Sequence, residues 1–518
     1  MWHRTRTPGP HMDQAMLSRD EILAVYAAGP EAVIALVESL LACLSQQQQQ
    51  IDILTARVQE LEARLSQDSH NSSKPPSRDG LSRIPRTRSL RQASGKKPGG
   101  QPGHPGHTLK WCDQPDEVSE HSPDTCTHCG TCLLPVGALA AQCRQVHEIP
   151  PLRLRVIEHR ALTKACPHCQ EINHGQFPAH VTESVQYGPR LKALAVYLLH
   201  YQLLPFERTR ELLSDLFTPA TAPATAPATA PATAPATPSV GTLAAAVVQC
   251  EERLAPIEAA LKAAIAAAEV AHFDETGVRV AQRLCWLHEA GTGRLTHDAC
   301  HSKRGTTATQ EIGILPAFTG TAVHDAWSAY GRYGCAHALC NAHLLRELTF
   351  IQEQTGQPWA TGLKSLLCEI KQAVAAVQDT GREQLSRTQQ ARFERHYRAL
   401  IAQGLKANPT PPASGKRGRT KQSQAKNLLD RLAQHEAWVL AFMHDFSVPF
   451  DNNLAERDLR MVKVQQKVSG CFRSPDGAAA FCRIRGYIST LRKQAYHVLT
   501  ALESVFTGTP YLPVLHPE

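Results

Sequence analysis

Two hydrophobic patterns divide the chain. The first lies near its beginning, where apolar residues recur at alternating intervals of three and four and only Gln47 is polar. This spacing is typical of a coiled-coil seam, with a single amphipathic helix packed on its own domain as the alternative. It predicts a leucine-zipper-like helical domain at 1–68 that associates with a second copy. The residues of the seam are Val37, Leu40, Leu44, Gln47, Ile51, Leu54, Val58, Leu61 and Leu65.

The second pattern has the period of two that is typical of β-strands, and it begins at residue 270. In "VAHFDETGVRV", Asp274 and Glu275 fall on opposite faces of a predicted strand. "RLCWLHEAG" and "GRLTHDACH" predict a hairpin, and "GTAVHDAWSAY" predicts a short strand that ends near Asp325. A predicted helix over "ALCNAHLLRELTFIQEQ" follows. The fold class is therefore multidomain α/β, with the α/β domain at 270–475.

The segments between these patterns differ in composition. Residues 69–111 contain much Ser, Pro and Gly, with nine Lys or Arg between Asn71 and Lys110. We expect a flexible basic linker there, which is either a tether for DNA phosphates or a plain solvated connection. Helical periodicity predicts a helical region at 183–269, and its Thr-Ala-Pro repeat at 218–238 predicts an extended spacer. A C-terminal helical region and tail follow at 476–518.

Composition narrows the class of protein. The net charge is +8, and the basic residues are clustered, which favours nucleic acid over a membrane as the partner. No apolar run reaches the length of a membrane span. Sixteen cysteines without an export signal indicate a reducing compartment, where paired cysteines more often bind metal than form disulfides. We expect a cytoplasmic protein.

A metal site is predicted between 112 and 182. "CTHC" and "CPHC" supply Cys126, Cys129, Cys166 and Cys169, two pairs that can complete a tetrahedral Zn²⁺ site. Four thiolates leave no position open for a substrate, so we expect this zinc to be structural. Unconnected cysteines are the weaker alternative.

The stretch "VPFDNNLAERDLRMVKVQQK", residues 448–467, allows two interpretations of its acidic residues. Asn453 and Glu456 have the spacing of a capping box, which would make the glutamate a helix-capping residue. Asp451 precedes the predicted helix and fits a cap or turn. Asp458 projects towards the apolar side of the helix, away from Glu456.

The alternative is a metal site with phosphate-binding cations beside it. Glu456 shares one helical face with three basic residues, which we expect to bind DNA. Together with Asp274 and Asp325 it would supply the oxygen ligands that two Mg²⁺ ions require. From the pattern alone, this interpretation and the capping role stay open. The basic residues are Arg460, Lys463 and Lys467.

Three blocks carry a resemblance to a known family. "HFDETGVRV", "VHDAWSAYGRYGCAHALCNAHLLREL" and "FDNNLAERDLRMVKVQQKVSGCFRS" resemble the catalytic blocks of the insertion-sequence-66 family of DDE transposases. "SHNSSKPPSRDG" is similar to the segment after that family's zipper, and the paired CxxC to its zinc-binding domain. The resemblance covers most of residues 30–506 in the family's order. The Thr-Ala-Pro spacer and the chain after about residue 506 depart from the family pattern.

The resemblance implies a catalytic triad of Asp274, Asp325 and Glu456 on a ribonuclease H-like domain. This domain would contain a mixed sheet and a helical insertion at about 345–445, before the final glutamate. Two Mg²⁺ or Mn²⁺ ions would occupy the active site. The motif match also includes Cys340 and His343, to which we assign structural support.

The implied activity is metal-dependent DNA strand cleavage and strand transfer. The partners would be transposon ends, target DNA, a second copy of the chain and accessory proteins of the same element, in a bacterial cell at the nucleoid. Two alternatives stay open. One is a DNA-binding relative without cleavage activity, and the other is a nuclease that does not join DNA.

Overall fold

The computed structural model describes residues 18–68, 70–72, 103, 108–150, 152, 154–217, 237–410 and 422–515. The predicted spacer and most of the predicted basic linker therefore lie outside the described residues. The chain forms two compact units. The first comprises Met1–Thr87, His343–Cys368 and Phe393–Ala433, and the second comprises Arg88–Ala342, Glu369–Arg392 and Gln434–Glu518. None of the described helices is long and apolar enough to cross a membrane.

The N-terminal part consists of helix α1 (Arg19–Ala27) and the long helix α2 (Pro30–Leu65). Ser18 and Glu21 form a capping box that begins α1. The apolar seam residues of α2 are exposed, with relative accessibilities from 41% at Leu61 to 77% at Leu65. The single chain thus leaves this row of side chains in contact with solvent.

Residues 108–182 contain little regular structure. Strands β1 (Thr163–Ala165) and β2 (Ile172–His174) form an antiparallel hairpin. None of the described residues in this range is buried. This region has no hydrophobic core.

A layer of helices follows: α3 (Pro189–Val196), which continues into a π-helical turn (Tyr197–Tyr201), α4 (Phe206–Phe217) and α5 (Val240–Ala266). Apolar residues recur on one side of α5, from Leu243 to Ile265, and all are buried. They pack in one core with Ala271 and Phe273 of the adjoining sheet. The helical layer therefore covers one face of that sheet.

The sheet has five strands in the order β5-β4-β3-β6-β7. β3 is antiparallel to β4, which is antiparallel to β5, whereas β6 is parallel to both β3 and β7. The hairpin predicted from the sequence is present as β4 and β5. Helices α6 (Thr306–Ile312) and α7 (Ile314–Ala317) connect β5 to β6. The strands are β3 (Val270–Val280), β4 (Arg283–Gly291), β5 (Thr296–His301), β6 (Thr321–His324) and β7 (Ala336–Leu339).

The chain from 341 to 444 is mainly helical, as predicted for the insertion. Its helices are α8 (Asn341–Thr355), α9 (Pro358–Gln378), α10 (Arg387–Ala407), α11 (Gln424–Gln434), α12 (Glu436–Val439) and α13 (Ala441–His444). Within the first unit, buried Asn71 donates a hydrogen bond to Glu353 of α8 (3.0 Å), and His70 lies 3.4 Å from the same carboxylate. The start of the predicted linker is therefore fixed to the helical unit.

Three further helices complete the second unit: α14 (Asn453–Ser469), α15 (Pro475–Lys493) and α16 (Val498–Thr507). Leu459 and Val462 of α14 pack with Val278 and Val280 of β3. Side chains alternate along a strand, so Asp274 points to the face that α14 covers. This packing brings the "AERD" segment to the strand that carries the first candidate carboxylate.

Candidate active site

Asp274 lies in the central strand β3, opposite Glu289 of β4. Its carboxylate accepts a hydrogen bond from the backbone N–H of Glu275 (2.8 Å). Burial raises the pKa of Asp274 well above its usual range, and the charges of Glu275, Asp325 and Glu456 raise it further. The fold therefore brings Asp325 and Glu456 within electrostatic range of Asp274, where a bound cation would stabilise the negative charges. Among the described residues, the ligand atoms of these three carboxylates do not all lie within 4.8 Å of one another.

Asp325 follows the end of β6. His272 pairs with Val323 in the parallel register of β3 and β6, so Asp274 and Asp325 each lie two residues beyond a paired position. The carboxylate of Asp325 accepts a hydrogen bond from the N–H of Trp327 (2.9 Å). Parallel pairing thus sets the two aspartates at the same level of the sheet.

Glu456 lies in the first turn of α14 and is half-buried. One of its carboxylate oxygens is within 4.8 Å of the sulfur of Cys340. The alternative interpretation, a capping box of Asn453 and Glu456, is wrong, because no side chain caps this helix. The residue at the N-cap is Asn452, and its amide makes hydrogen bonds elsewhere.

Asn452 joins three parts of the site. It is fully buried, its Nδ2 donates to the carbonyl of Phe273 (3.0 Å), and its Oδ1 accepts from His272 Nδ1 (2.7 Å). Its backbone N–H donates to the sulfur of Cys340 (3.1 Å). The local sequence pattern indicates only a turn or N-cap residue at Asn452, and it missed these long-range contacts. Asn452 fixes the beginning of α14, and with it Glu456, to the strand of Asp274.

The other two carboxylates of this stretch have structural contacts. Asp451 accepts a hydrogen bond from the N–H of Asn453 (3.2 Å), as expected for a turn residue. Asp458 accepts from Thr296 (3.0 Å) and Ser489 (2.9 Å) and lies 2.9 Å from the ammonium of Lys493. Asp458 therefore connects α14 to β5 and α15.

The three predicted DNA-binding cations differ in their surroundings. Arg460 and Lys467 are exposed, whereas Lys463 is half-buried. The ammonium of Lys463 donates a hydrogen bond to the carbonyl oxygen of Gly277 in β3. This bond gives Lys463 a part in holding α14 on the sheet, so that of the three predicted cations Arg460 and Lys467 stay exposed for phosphate.

Glu275 lies on the opposite face from Asp274 and is buried. It accepts hydrogen bonds from Arg304 and from the hydroxyl of Tyr330. The guanidinium of Arg304 lies 4.4 Å from the ring centre of Trp327 and 4.7 Å from that of Trp286. Burial raises the pKa of Glu275, and repulsion from Asp325 adds to the shift. These contacts support the strand behind Asp274, and no local sequence pattern predicts Arg304 or Tyr330 as partners of Glu275.

Cys340 and His343 lie at the start of α8. Cys340 is buried and accepts the Asn452 hydrogen bond described above. That bond connects Cys340 to the beginning of α14, and the supporting role of the cysteine stays a prediction. His343 is half-buried one helical turn later, and its predicted role stays a prediction.

The two CxxC segments form matching turns. The N–H of Cys126 donates to the carbonyl of Thr131, and the N–H of Cys166 donates to that of Glu171, both at 2.8 Å. Hydrogen bonds from Thr131 lower the pKa of Cys129 to about 7, and backbone hydrogen bonds lower the pKa of Cys166. Each turn therefore favours thiolates, the form that binds metal.

The four thiols do not form one site in this structure. No three of the four sulfurs lie within 4.8 Å of one another in the part of the chain that the structure describes. Cys129 interacts with Cys126 of its own turn, and Cys166 interacts with Cys169 of the other. A single four-thiolate site thus stays a prediction.

Known families match three segments of the chain. Residues 233–480 match the family described as "Transposase IS66 family", and residues 123–170 match the "zinc-finger binding domain of transposase IS66". Residues 26–110 match a family of unknown function, DUF6444. No curated protein matches the chain. The first segment contains the three clustered carboxylates, and the second contains both CxxC turns.

Proposed function

We propose that this chain, which belongs to the IS66 transposase family, cuts DNA at transposon ends and joins the cut ends to target DNA. The observation that carries this proposal is the pairing of β3 with β6 and the packing of α14 on β3, which bring Asp325 and Glu456 to the side of Asp274. These three carboxylates are called the cluster below. A central strand, the end of a neighbouring parallel strand and the first turn of a helix contribute one carboxylate each. The strand order β5-β4-β3-β6-β7 supports a ribonuclease H-like catalytic domain.

The cluster has the chemistry of a site for two divalent cations, Mg²⁺ or Mn²⁺. Hard oxygen ligands suit both ions, and mutual repulsion among the carboxylates would be relieved by positive charge. When bound, the cations would lower the pKa of an attacking water and stabilise charge on the leaving oxygen. The protein contributes the fixed geometry: parallel register aligns Asp274 with Asp325, and Asn452 holds the helix of Glu456.

The reaction consists of two phosphoryl transfers. In the first, water attacks a phosphodiester at the transposon end, the P–O3′ bond breaks, and a 3′-hydroxyl is released. In the second, that hydroxyl attacks a target phosphodiester in line, which joins the two DNAs and releases a target 3′-hydroxyl. No covalent protein–DNA intermediate is required. Arg460 and Lys467, exposed on α14, would bind phosphates that flank the reacting group.

Two other regions would organise the DNA complex. Cys126, Cys129, Cys166 and Cys169 would hold a structural zinc, and the domain around them would assist in binding DNA. The exposed seam of α2 would pair with a second copy, so that two protomers engage two transposon ends. Such a complex would act on chromosomal DNA, in the cytoplasm at the nucleoid.

The test is Mg²⁺-dependent nicking of a duplex that carries the inverted repeats flanking the gene. Glu456→Gln preserves the size of the side chain and removes the charge that a cation needs. We expect nicking to fall by several orders of magnitude, on the scale of losing a key electrostatic group or more. Binding of the same duplex in a gel shift should persist, because Arg460 and Lys467 are unchanged.

Two matched variants serve as controls. Asp451→Asn should cost little activity, since this carboxylate accepts one turn hydrogen bond. Asp458→Asn should lower the melting temperature, because it weakens contacts to three partners. Near-normal nicking by Glu456→Gln would contradict the proposal. Nicking by the wild type without joining to target DNA would reduce it to a nuclease.

A further inference from the structure

The turn after β6 has an unusual backbone conformation. Ala326, between Asp325 and Trp327, has φ +67°, in the left-handed region that side chains other than glycine rarely adopt. The N–H of Trp327 donates to the carboxylate of Asp325 across this turn. The orientation of that carboxylate therefore depends on a backbone that needs outside support.

A chain of hydrogen bonds supplies that support. The N–H of Ala326 donates to Nδ1 of His324 (3.2 Å), so this nitrogen carries no proton and Nε2 carries one. His324 Nε2 then donates to His337 Nδ1 (3.0 Å). His337 Nε2–H donates in turn to the carbonyl of Tyr333 (3.1 Å). Every proton position follows from the backbone groups at the two ends, and both imidazoles are neutral.

This histidine relay is enclosed by aromatic rings. His324 is fully buried and stacks on Tyr330 at 4.7 Å between ring centres. Trp438 lies 4.4 Å from the ring of His337. Burial, together with the neighbouring His337 and His435, lowers the pKa of His324 to about 3. His324 has no exposed surface and His337 is 7% exposed, so the loss of one hydrogen bond would leave a buried polar atom without its partner.

We propose that His324 and His337 are positioning residues that hold the strained turn at Ala326 and thereby orient Asp325 for cation binding. The relay begins and ends on backbone groups of one segment, residues 326–333, which it closes into a fixed loop. A purely space-filling pair would not require two imidazoles whose ring nitrogens are all in hydrogen bonds. This role rests on the proposed function, because it concerns one of the three carboxylates.

Two substitutions distinguish the hydrogen bonds of His324 from the packing of its ring on Tyr330. His324→Phe keeps a ring against Tyr330 and removes both nitrogens. His324→Asn loses the ring and keeps an acceptor within reach of the Ala326 N–H. We expect His324→Phe to weaken Mn²⁺ binding and nicking about 10- to 100-fold, as for the loss of an outer-shell contact. His324→Asn should stay within about fivefold of the wild type.

A second-site change tests the strain directly. Glycine adopts the left-handed region at little cost, so adding Ala326→Gly to His324→Phe should recover about five- to tenfold in Mn²⁺ affinity. A role in packing alone would give no such recovery. Should His324→Phe fail to fold, His324→Gln replaces it, since glutamine keeps a donor for His337 but no acceptor for Ala326.

Mn²⁺ binding, measured by electron paramagnetic resonance, is the readout that does not depend on DNA chemistry. A wild type that binds Mn²⁺ without nicking DNA contradicts the proposed function and leaves the relay testable by affinity alone. Equal Mn²⁺ affinity in the wild type and His324→Phe, or in His324→Asn and His324→Gln, overturns the relay. The absence of recovery with Ala326→Gly overturns it as well.

Discussion

The sheet domain and the CxxC region each contain antiparallel hairpins, but they are held together differently. In the sheet domain, β4 and β5 are covered by helices, and Leu287 at their centre is fully buried. In the CxxC region, β1 and β2 have three residues each, and none of the described residues in 108–182 is buried. The two hairpins have the same backbone hydrogen-bond pattern, but only the one in the sheet domain is buried in a hydrophobic core.

The difference concerns the source of stability. Burial of apolar area stabilises the sheet domain, at about 25 cal/mol for each Å² removed from water. The CxxC region buries too little for this, and its apolar side chains, such as Val156 and Leu139, are almost fully exposed. A region of this kind requires another source of free energy, and metal binding to preformed thiolate turns is the one that its sequence offers.

Removal of metal gives the largest expected effect. Structural zinc contributes about 10–16 kcal/mol of binding free energy at neutral pH. Purified protein should contain about one zinc per chain, and Cys126→Ser with Cys129→Ser should release it. Hydrogen exchange should then accelerate throughout 120–180 and stay unchanged in β3 to β7, where apolar packing persists.

Cys132→Ser with Cys143→Ser is the matched control, because these two exposed cysteines lie outside the CxxC pairs. It should leave both the zinc content and the exchange pattern as in the wild type. Zinc-free protein with slow exchange in 120–180 would contradict the proposed source of stability.

A smaller effect is expected from removing one apolar side chain in each region. Leu287→Ala in the sheet should lower the free energy of unfolding by about 2–5 kcal/mol, because it leaves a cavity in a closed core. Leu134→Ala in the CxxC region removes a side chain that is 71% exposed, so its effect should stay within about 0.5 kcal/mol. Urea denaturation with the metal present compares the two. Equal losses would mean that the two regions share one mode of stabilisation.

The smallest expected effect on stability comes from a buried carboxyl group of the sheet domain, Asp298. The described residues of the CxxC region include no buried carboxyl group. Burial, with a contribution from the charge of Asp458, raises the pKa of Asp298 in β5 to about 7. Below about pH 4 both folded and unfolded chains are protonated there. Between pH 4 and 7 only the folded chain keeps the proton, so stability falls as the pH rises through this window.

Asp298→Asn removes that titration. The variant should match the wild type at pH 4 and exceed it at pH 8 by on the order of 2 kcal/mol. Thermal melts at both pH values measure the difference. Asp113→Asn, at an exposed position of the CxxC region, should show no gain at pH 8. A gain of the same size in both variants would point to net charge instead of burial.

Periodicity was sufficient to predict much of the fold. The alternation in "VAHFDETGVRV" predicted a strand with Asp274 and Glu275 on opposite faces, and β3 has that arrangement. The hairpin, the strand before Asp325 and the helix that carries Glu456 were predicted for the same reason. Such patterns are local, because each residue's face depends on its neighbours in the sequence.

The remainder depended on contacts between distant segments. Asn452 was interpreted as a local turn or capping residue, but its amide bonds β3, some 180 residues earlier in the chain. Lys463 fell on the face of Glu456, yet its ammonium binds the carbonyl of Gly277. The left-handed turn at Ala326 could not be predicted from the sequence, because the position does not hold the glycine that usually marks such a turn. The hydrogen-bond partners of these polar groups come from distant parts of the sequence, so they can be identified only in the folded structure.

The three carboxylates are translated at different times, because they lie far apart in the sequence. Asp274 and Asp325 belong to strands that pair directly, whereas Glu456 follows Asp325 by about 130 residues. A ribosome adds roughly 5–20 residues per second, so the third carboxylate is translated about 6–26 s after the second. During that interval the nascent chain holds two of the three proposed metal ligands. The proposed function therefore predicts that the nascent chain cannot cut DNA until α14 has been translated and docked on the sheet.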